Sequence, residues 1–588
     1  MGSAARIIIS FVLLACLTIA AVKAYPEKTV QAGLQIIGGE ADHVVFNDLL
    51  VLRNAVYIAG CSGGFENRVC SLWKIDAEGR LVSSATGVRG YFMSLASDGS
   101  RIYAAGLREH DTLPKTTGYL AVFDQDLDKL WEREWVGSSL FSWFESIVVQ
   151  AGGIYVAGAV QYLGERDTDI VLHKYGEAGL LLWEKTFSLA GHQTPESMDC
   201  QDGRIYIAGT TAPPGSGGNV DGFLLVTDMN GSEVDRVTWG GDKRDFFSSV
   251  KVGEGIYVCG FTDSYGAGDL DGLLLKIDFS GRVVWWKTFG GPGDDSFTSL
   301  CLDEDRVHAV GHVTRSTGML PLYAQYSVNG TLLGNWTLAI DFLSSWTAVC
   351  SADGVTRMVG NSMGGLFRNR GIYARYVTSY GLTVNFPGEG FWASLDGENK
   401  TGRSVSFDVT GGEHRLEAAP FKIAGETRLA FSLWSDGVVN NPREIRLKKD
   451  TVLNAAYRVE HRVEVSSPMG EVSGGGWFVE GSTATVSVSP SIIPKDFFTN
   501  YVFDGWVENG VKTSASTTYS FTVTRPIRLA ASWRTELNPI TAGIILLMLI
   551  LVLIASLVFV RRRKTLPPPP PPLDQAYESI SLRHAAVN

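Results

Sequence analysis

Val56-Tyr57-Ile58-Ala59-Gly60 decides the fold, because the same five-residue pattern returns six more times along the 588-residue chain. The copies are Ile102-Tyr103-Ala104-Ala105-Gly106, Ile154-Tyr155-Val156-Ala157-Gly158, Ile205-Tyr206-Ile207-Ala208-Gly209, Ile256-Tyr257-Val258-Cys259-Gly260, Val307-His308-Ala309-Val310-Gly311 and a degraded Thr356-Arg357-Met358-Val359-Gly360. Their second residues lie 46, 52, 51, 51, 51 and 49 positions apart. A period near fifty, with short apolar runs between turn residues, is that of one four-stranded sheet per repeat, and a closed series of such sheets is a propeller. The expectation is an all-β chain: a seven-bladed β-propeller over 34–381, two small β-sandwich-like domains over 382–460 and 461–536, and one transmembrane helix over 539–560.

In the clearest repeat, Val284-Trp285-Trp286-Lys287-Thr288-Phe289 is one strand and Gly290-Gly291-Pro292-Gly293 a turn. Residues 297–302 and 307–310 are the second and third strands, and Leu273-Leu274-Leu275-Lys276-Ile277-Asp278 shows the fourth. Trp131, Trp183, Trp285 and Trp336 recur in the tryptophan strand and are expected to pack between neighbouring blades. Both chain ends offer a strand to close the ring. We expect an offset closure in which 382–386 pairs with 372–377, while 34–39 lies beside the first blade's fourth strand, around 71–76.

A net charge of -11 and a pI near 5.4 argue against a nucleic-acid partner, which needs a concentrated basic face. The basic cluster is Arg561-Arg562-Arg563-Lys564. No cysteine sits in a CxxC pair or a Cys/His cluster with metal spacing. Cys61 and Cys70 flank a short loop and are placed to bridge in an oxidising compartment, whereas Cys200, Cys301 and Cys350 read as apolar fillers.

Phe289-Gly290-Gly291-Pro292-Gly293-Asp294-Asp295 and Trp239-Gly240-Gly241-Asp242, each ahead of a Tyr-Val-x-Gly-type strand, resemble the seven-bladed beta-propeller repeat family of prokaryotic surface proteins, with an archaeal source expected. That resemblance implies a fold and no activity. Farther on, Gly470-Glu471-Val472, Gly474-Gly475-Gly476-Trp477, Glu480-Gly481-Ser482 and Phe503-Asp504-Gly505-Trp506 resemble a divergent internalin-type B repeat, which implies an extracellular spacer or adhesion module. Phe431-Ser432-Leu433-Trp434-Ser435-Asp436-Gly437 looks like an earlier copy of its last motif.

The two ends of the chain give the address. Residues 1–24 carry Arg6, an apolar run and Val22-Lys23-Ala24, the pattern of a cleaved secretory signal. Residues 539–560 hold no charge and as a helix span about 33 Å, enough to cross a hydrocarbon core of roughly 30 Å. The basic cluster that follows places the Pro-rich tail, 561–588, in the cytoplasm and the preceding domains outside, at the plasma membrane.

Candidate chemistry is sparse. Asp221, Asp269 and Asp271 precede fourth strands and supply oxygens of the kind calcium takes, although an aspartate before glycine also caps its own turn. No other cofactor is indicated. Asp294-Asp295 are adjacent, so on a strand they point to opposite faces and read as a turn. His308 replaces the repeat tyrosine and reads as packed. The run from Lys276 to Trp285 resembles quinoprotein dehydrogenase repeats, but the vicinal cysteine pair those enzymes use is missing. Asn230, Asn329, Asn335 and Asn399 head N-glycosylation tripeptides. No catalytic set emerges from spacing. Two functions remain: a cell-surface protein whose propeller is a binding or structural head for an extracellular protein or glycan, or a membrane-anchored hydrolase or lyase using the propeller's central face. The second requires carboxylates, histidines or arginines converging on the axis from several blades, and an axis of small and apolar residues would exclude it.

Overall fold

The repeat pentapeptide is apolar on both faces because each sheet is covered on both sides. In the computed structural model, Ile256 and Val258 join a core with Phe247 of their own sheet and Tyr206 and Leu224 of the preceding one, while Tyr257 and Cys259 join one with Phe297, Leu300 and Leu322 of the next. Alternation along a strand sends successive side chains to opposite faces, so a fully apolar run belongs to a sheet sandwiched between neighbours. The structure describes residues 29–563 apart from 38–42, 54, 65, 137–138, 165–166, 189–190, 213–218, 304, 339, 341–342, 353 and 364–368. Residues 1–24, where a secretory signal is expected, Gly38-Gly39 and residues 564–588 lie outside the described residues.

The chain divides into two compact units, the first comprising residues 1–383, 406–415 and 444–452. Its sheets repeat one plan. Asp245–Val252, Ile256–Thr262, Asp271–Ile277 and Val283–Phe289 pair in that order, all antiparallel, with Tyr257 opposite Lys276 and Lys276 opposite Trp285. Among the described residues, seven such four-stranded groups follow one another through the unit. Strand Leu81–Ser97 serves two of them: its first half pairs with Val69–Ile75 and its second with Ile102–Glu109. The tryptophan strand is the outermost of each group. The space over its indole is closed by a turn glycine of the following sheet: Trp131 lies against Gly179, Trp183 against Gly231 and Trp285 against Gly330, all three glycines with φ between +76° and +79°. A larger residue would need both the left-handed backbone and the room the indole occupies.

Closure departs from the expected pairing. Thr29–Ile37 runs antiparallel to Asn369–Asn385, with Leu34 opposite Ala374 and Ile36 opposite Ile372, so the N-terminal strand completes the last sheet. The expected neighbour, Val69–Ile75, has no free edge, because the tight hairpin closed by Asp76 N–H to Arg80 O (2.9 Å) folds Leu81–Ser97 back onto it. The last sheet lacks a following tryptophan strand of its own. Its register ends at Thr29 opposite Thr378, and residues 382–386 take no part in it. Asn361 reinforces the closure: it accepts from Phe46 N (2.8 Å) and donates to Phe46 O (2.9 Å).

The second unit comprises residues 384–405, 416–443 and 453–588. Within it Thr427–Trp434 pairs with Thr451–Ser466, and that long strand goes on to pair with Gly476–Val479 and, in parallel, with Ile527–Leu537. A second sheet of Glu471–Ser473, Thr483–Ser489 and Thr518–Thr522 helps enclose a core of Val463, Val486, Trp506 and Leu529. The two copies of the Phe…Trp motif have the same geometry. Trp434 and Trp506 are both fully buried, with Phe431–Trp434 ring centroids 5.2 Å apart and Phe503–Trp506 5.5 Å apart, and both pairs flank a β-bulge. The unit ends in helix Pro539–Arg563, with proline in its first position and the Asn538 carboxamide accepting from Ile540 N (3.1 Å). Its span Pro539–Arg561 is apolar, and none of the most apolar stretch is buried.

Candidate functional site

The repeat glycine has a structural partner. A Cβ built on Gly60, Gly106, Gly158, Gly209, Gly260, Gly311 or Gly360 would meet a carbonyl oxygen of the innermost strand at 1.8–2.2 Å. The approach is that close because the innermost strand bulges opposite each glycine, shifting register between Phe46 and Asp48, Phe92 and Ser94, and at the equivalent place in every repeat. A bulge re-aims the extra side chain. The residues it selects are Asn47, Met93, Glu145, Glu196, Ser248, Thr298 and Thr347, and all seven line one axial cavity of about 670 Å³. That volume lies within the range of ligand pockets.

Most polar groups on the axis hold neighbouring sheets together. Asn47 Nδ2 donates to Phe92 O (2.8 Å), Thr298 Oγ1 to Trp346 O (2.8 Å) and Thr347 Oγ1 to Phe46 O (2.9 Å). One residue past the bulge a second set accepts: Asp48 Oδ2 from Leu95 N (2.8 Å), Ser146 Oγ from Met198 N (2.9 Å) and Ser197 Oγ from Val250 N (3.3 Å). Asp199 Oδ2 likewise accepts from Val252 N (2.8 Å).

Glu145 and Glu196 differ. They occupy bulge positions of adjacent sheets and line the cavity side by side with no bond to a neighbouring sheet's backbone. Burial, then the negative field of Glu196, holds the Glu145 carboxyl well above its ordinary value, and burial pushes Glu196 up to about 7. Two carboxylates cannot both ionise cheaply in such a space, so the pair retains a proton near neutral pH. Three residues beyond its own strand's bulge, roughly 10 Å along the axis, Lys251 also lines the cavity. Burial opposes its charge, yet Asp199 and Asp48 hold its ammonium above the usual lysine value. Cys301 and Cys350 line the same end, and burial raises both thiols. The axis is thus neither small nor apolar.

The residues singled out from sequence lie elsewhere. Asp271 caps a turn, accepting from Ala267 N (2.7 Å) and Gly268 N (3.0 Å); Asp269 is exposed; burial, then Asp245, raises half-buried Asp221. Among the described residues no group of three or more His, Cys, Asp or Glu is arranged to hold a metal ion. Cys61 and Cys70 stand directly opposite each other on paired strands, buried and as separate thiols, with burial pushing Cys61 up to about 11. Asn230, Asn329, Asn335 and Asn399 are all exposed. Asp295 is buried and accepts from Gly291 N (2.6 Å) and Thr314 N (2.8 Å), while Asp294 is exposed. His308 is packed against the Tyr323 hydroxyl (2.7 Å), and burial lowers it to about 3. His312 Nδ1 meets Ser296 Oγ (3.1 Å) and Ser345 Oγ (3.3 Å), so two hydroxyls of adjacent sheets share one ring nitrogen. The axial glutamates were missed, although a signal was present: they are 51 residues apart, one repeat, and each precedes its repeat glycine by 13 residues.

No protein-family model and no curated protein matches the sequence. Among solved structures the chain is similar to the beta-propeller domain of the Trilobed protease from Pyrococcus furiosus, at 10% identity over 61% of this chain and 95% of that one, with a TM-score of 0.35. It is also similar to the polysaccharide lyase Uly1, at 13% identity over 56% and 89% with a TM-score of 0.36. A third likeness is to the Neurospora crassa Pan2 WD40 domain, at 11% identity over 48% and 89% with a TM-score of 0.31. Two of the three are named as a beta-propeller and a WD40 domain, and the likenesses extend to no ligand or activity.

Proposed function

We propose that the chain is a single-pass surface protein whose propeller is an extracellular binding head, carried on two β spacer domains and anchored by residues 539–560. The observation that carries the reading is an axial cavity whose bulge position is occupied, in two adjacent sheets, by carboxyls that make no bond to the next sheet's backbone. Such groups are available to an incoming ligand, and the exposed apolar helix supplies attachment to a bilayer. The extracellular face, the glycans on Asn230, Asn329, Asn335 and Asn399, and a protein or glycan ligand are parts of this proposal. Protease treatment of intact cells tests it: release of fragments from residues 29–536 is expected, and release only after permeabilisation would reverse the topology.

A second reading, an anchored hydrolase or lyase, is favoured by the same pair. A protonated carboxyl beside an ionised one is the equipment of general acid–base chemistry near neutral pH. Turnover of a glycan or peptide panel by the wild-type chain, lost in Glu196→Gln, would establish it. Equal results for the two proteins would leave the axis a binding surface.

A further inference from the structure

Far from the axis, in the second unit, the turn between Ile492–Pro494 and Thr499–Glu508 presents two adjacent phenylalanines outward. Phe497 is 69% exposed and Phe498 54%, with their rings edge to face at 5.2 Å. The turn is firmly built. Asp496 Oδ1 accepts from Phe498 N (2.8 Å) and Thr499 N (2.7 Å), Oδ2 accepts from Thr499 Oγ1 (2.9 Å), and Lys495 N donates to Thr499 O (3.0 Å). Two aromatic rings held out by a capped turn contribute nothing to the domain's own core.

The same turn is fastened to the start of the apolar helix. Asn538 N donates to Phe498 O (2.7 Å), and Thr541 Oγ1 donates to Phe497 O (2.5 Å), which leaves Thr541 only 3% exposed. The phenylalanines therefore sit level with the helix's first turn, where the uncharged span begins at Pro539 and Ile540 is itself exposed. Ile492 and Leu537, exposed on the adjoining strands, extend the apolar collar, and the Lys495 ammonium lies 5.1 Å from the Tyr501 ring centroid beside it. Apolar rings with a neighbouring lysine at the end of an apolar helix match the chemistry of an interfacial segment, whose Phe and Leu side chains enter the headgroup–acyl boundary while lysine stays among the headgroups.

We propose that the Phe497–Phe498 turn docks into the interfacial layer of the bilayer that the helix crosses, making a second membrane contact that fixes the height and tilt of the adjoining β domain. This rests on the reading of residues 539–560 as a membrane span. The occupant is lipid because the patch is continuous with the helix's own lipid-facing surface.

The test is site-specific photo-crosslinking of the full chain in phosphatidylcholine nanodiscs, with benzoylphenylalanine placed singly at Phe497, Phe498, Val511 or Leu549. All four side chains are exposed, so folding is undisturbed. Val511 follows the far end of strand Thr499–Glu508, about 30 Å from the turn, and Leu549 lies in mid-helix. Phospholipid adducts are expected at Phe497, Phe498 and Leu549, at least tenfold above those at Val511. Adducts at Leu549 with none above the Val511 level at the two phenylalanines would overturn the docking turn and leave the span intact. Adducts to a second copy of the chain at Phe497 or Phe498 would overturn it in favour of a dimer. Absence of lipid adducts at Leu549 would remove the membrane reading and this proposal with it.

Discussion

Asn47, Thr298 and Thr347, on the closing arc of the propeller, occupy the same backbone position as Glu145 and Glu196 on the middle arc, and the two sets do different work. On the closing arc each bulged side chain donates to a carbonyl of the next sheet, and the contact from Thr347 to Phe46 joins the last repeat to the first. On the middle arc the bulge carries the carboxyls of Glu145 and Glu196, and the sheet-to-sheet bond is left to Ser146 and Ser197 one residue later. The comparison teaches that the bulge is a fixed device with a variable occupant. Where the ring must be joined it holds a hydrogen-bond donor, and where it is already continuous it is free to hold reactive groups.

The device itself should be the most sensitive point. Gly260→Ala puts a methyl 1.8 Å from Phe246 O, which only a local collapse of the bulge can relieve, and should cost about 4 kcal/mol or more in thermal unfolding of the purified chain. A near-neutral result would mean that bulge and glycine are not coupled. Asn361→Leu removes both bonds to Phe46, whose C=O keeps the Thr347 hydroxyl while its N–H is left to find water, a loss of about 2 kcal/mol, with the N-terminal strand exchanging its amides first.

The middle arc should respond to pH. A carboxyl whose value is higher in the folded chain binds more protons folded than unfolded, so its contribution to stability falls as pH rises. With Glu196 near 7 and Glu145 also raised, the wild-type chain should lose on the order of 2 kcal/mol between pH 5 and pH 8. Glu145→Gln/Glu196→Gln should flatten that slope and be the more stable protein at pH 8. A slope that survives the double substitution would have to come from other groups. The smallest effect belongs to a single clasp: Thr298→Val should cost about 1 kcal/mol with no change in pH dependence.

What the sequence disclosed follows from which features are periodic. The pentapeptide shows because burial on both faces demands apolar residues without interruption and the bulge demands glycine at its end. The apolar helix shows because no charge interrupts 539–560. Closure did not, because 34–39 and 382–386 both read as apolar strands in the sequence and composition cannot say which edge is vacant; that depends on the Asp76 hairpin having already filled the first sheet. The axial pair stayed hidden for a related reason. A bulge leaves no mark in the apolar alternation, and glutamates a full repeat apart look unconnected until the sheets are set side by side. The Asp221 and Asp271 candidates drew notice by recurrence, with Asp269 close by, but Asp271 serves as a turn cap.

The central claim is that the bulges deliver Glu145 and Glu196 into one shared space. Infrared titration of the carboxyl stretch tests it most directly. The wild-type chain should keep a protonated-carboxyl band at pH 6 that weakens on passing pH 7 as Glu196 ionises, and Glu196→Gln should shift the titration of Glu145 downward by removing the negative field of Glu196. Loss of every protonated-carboxyl band below pH 5 in the wild type, or an unchanged Glu145 titration in Glu196→Gln, would contradict it.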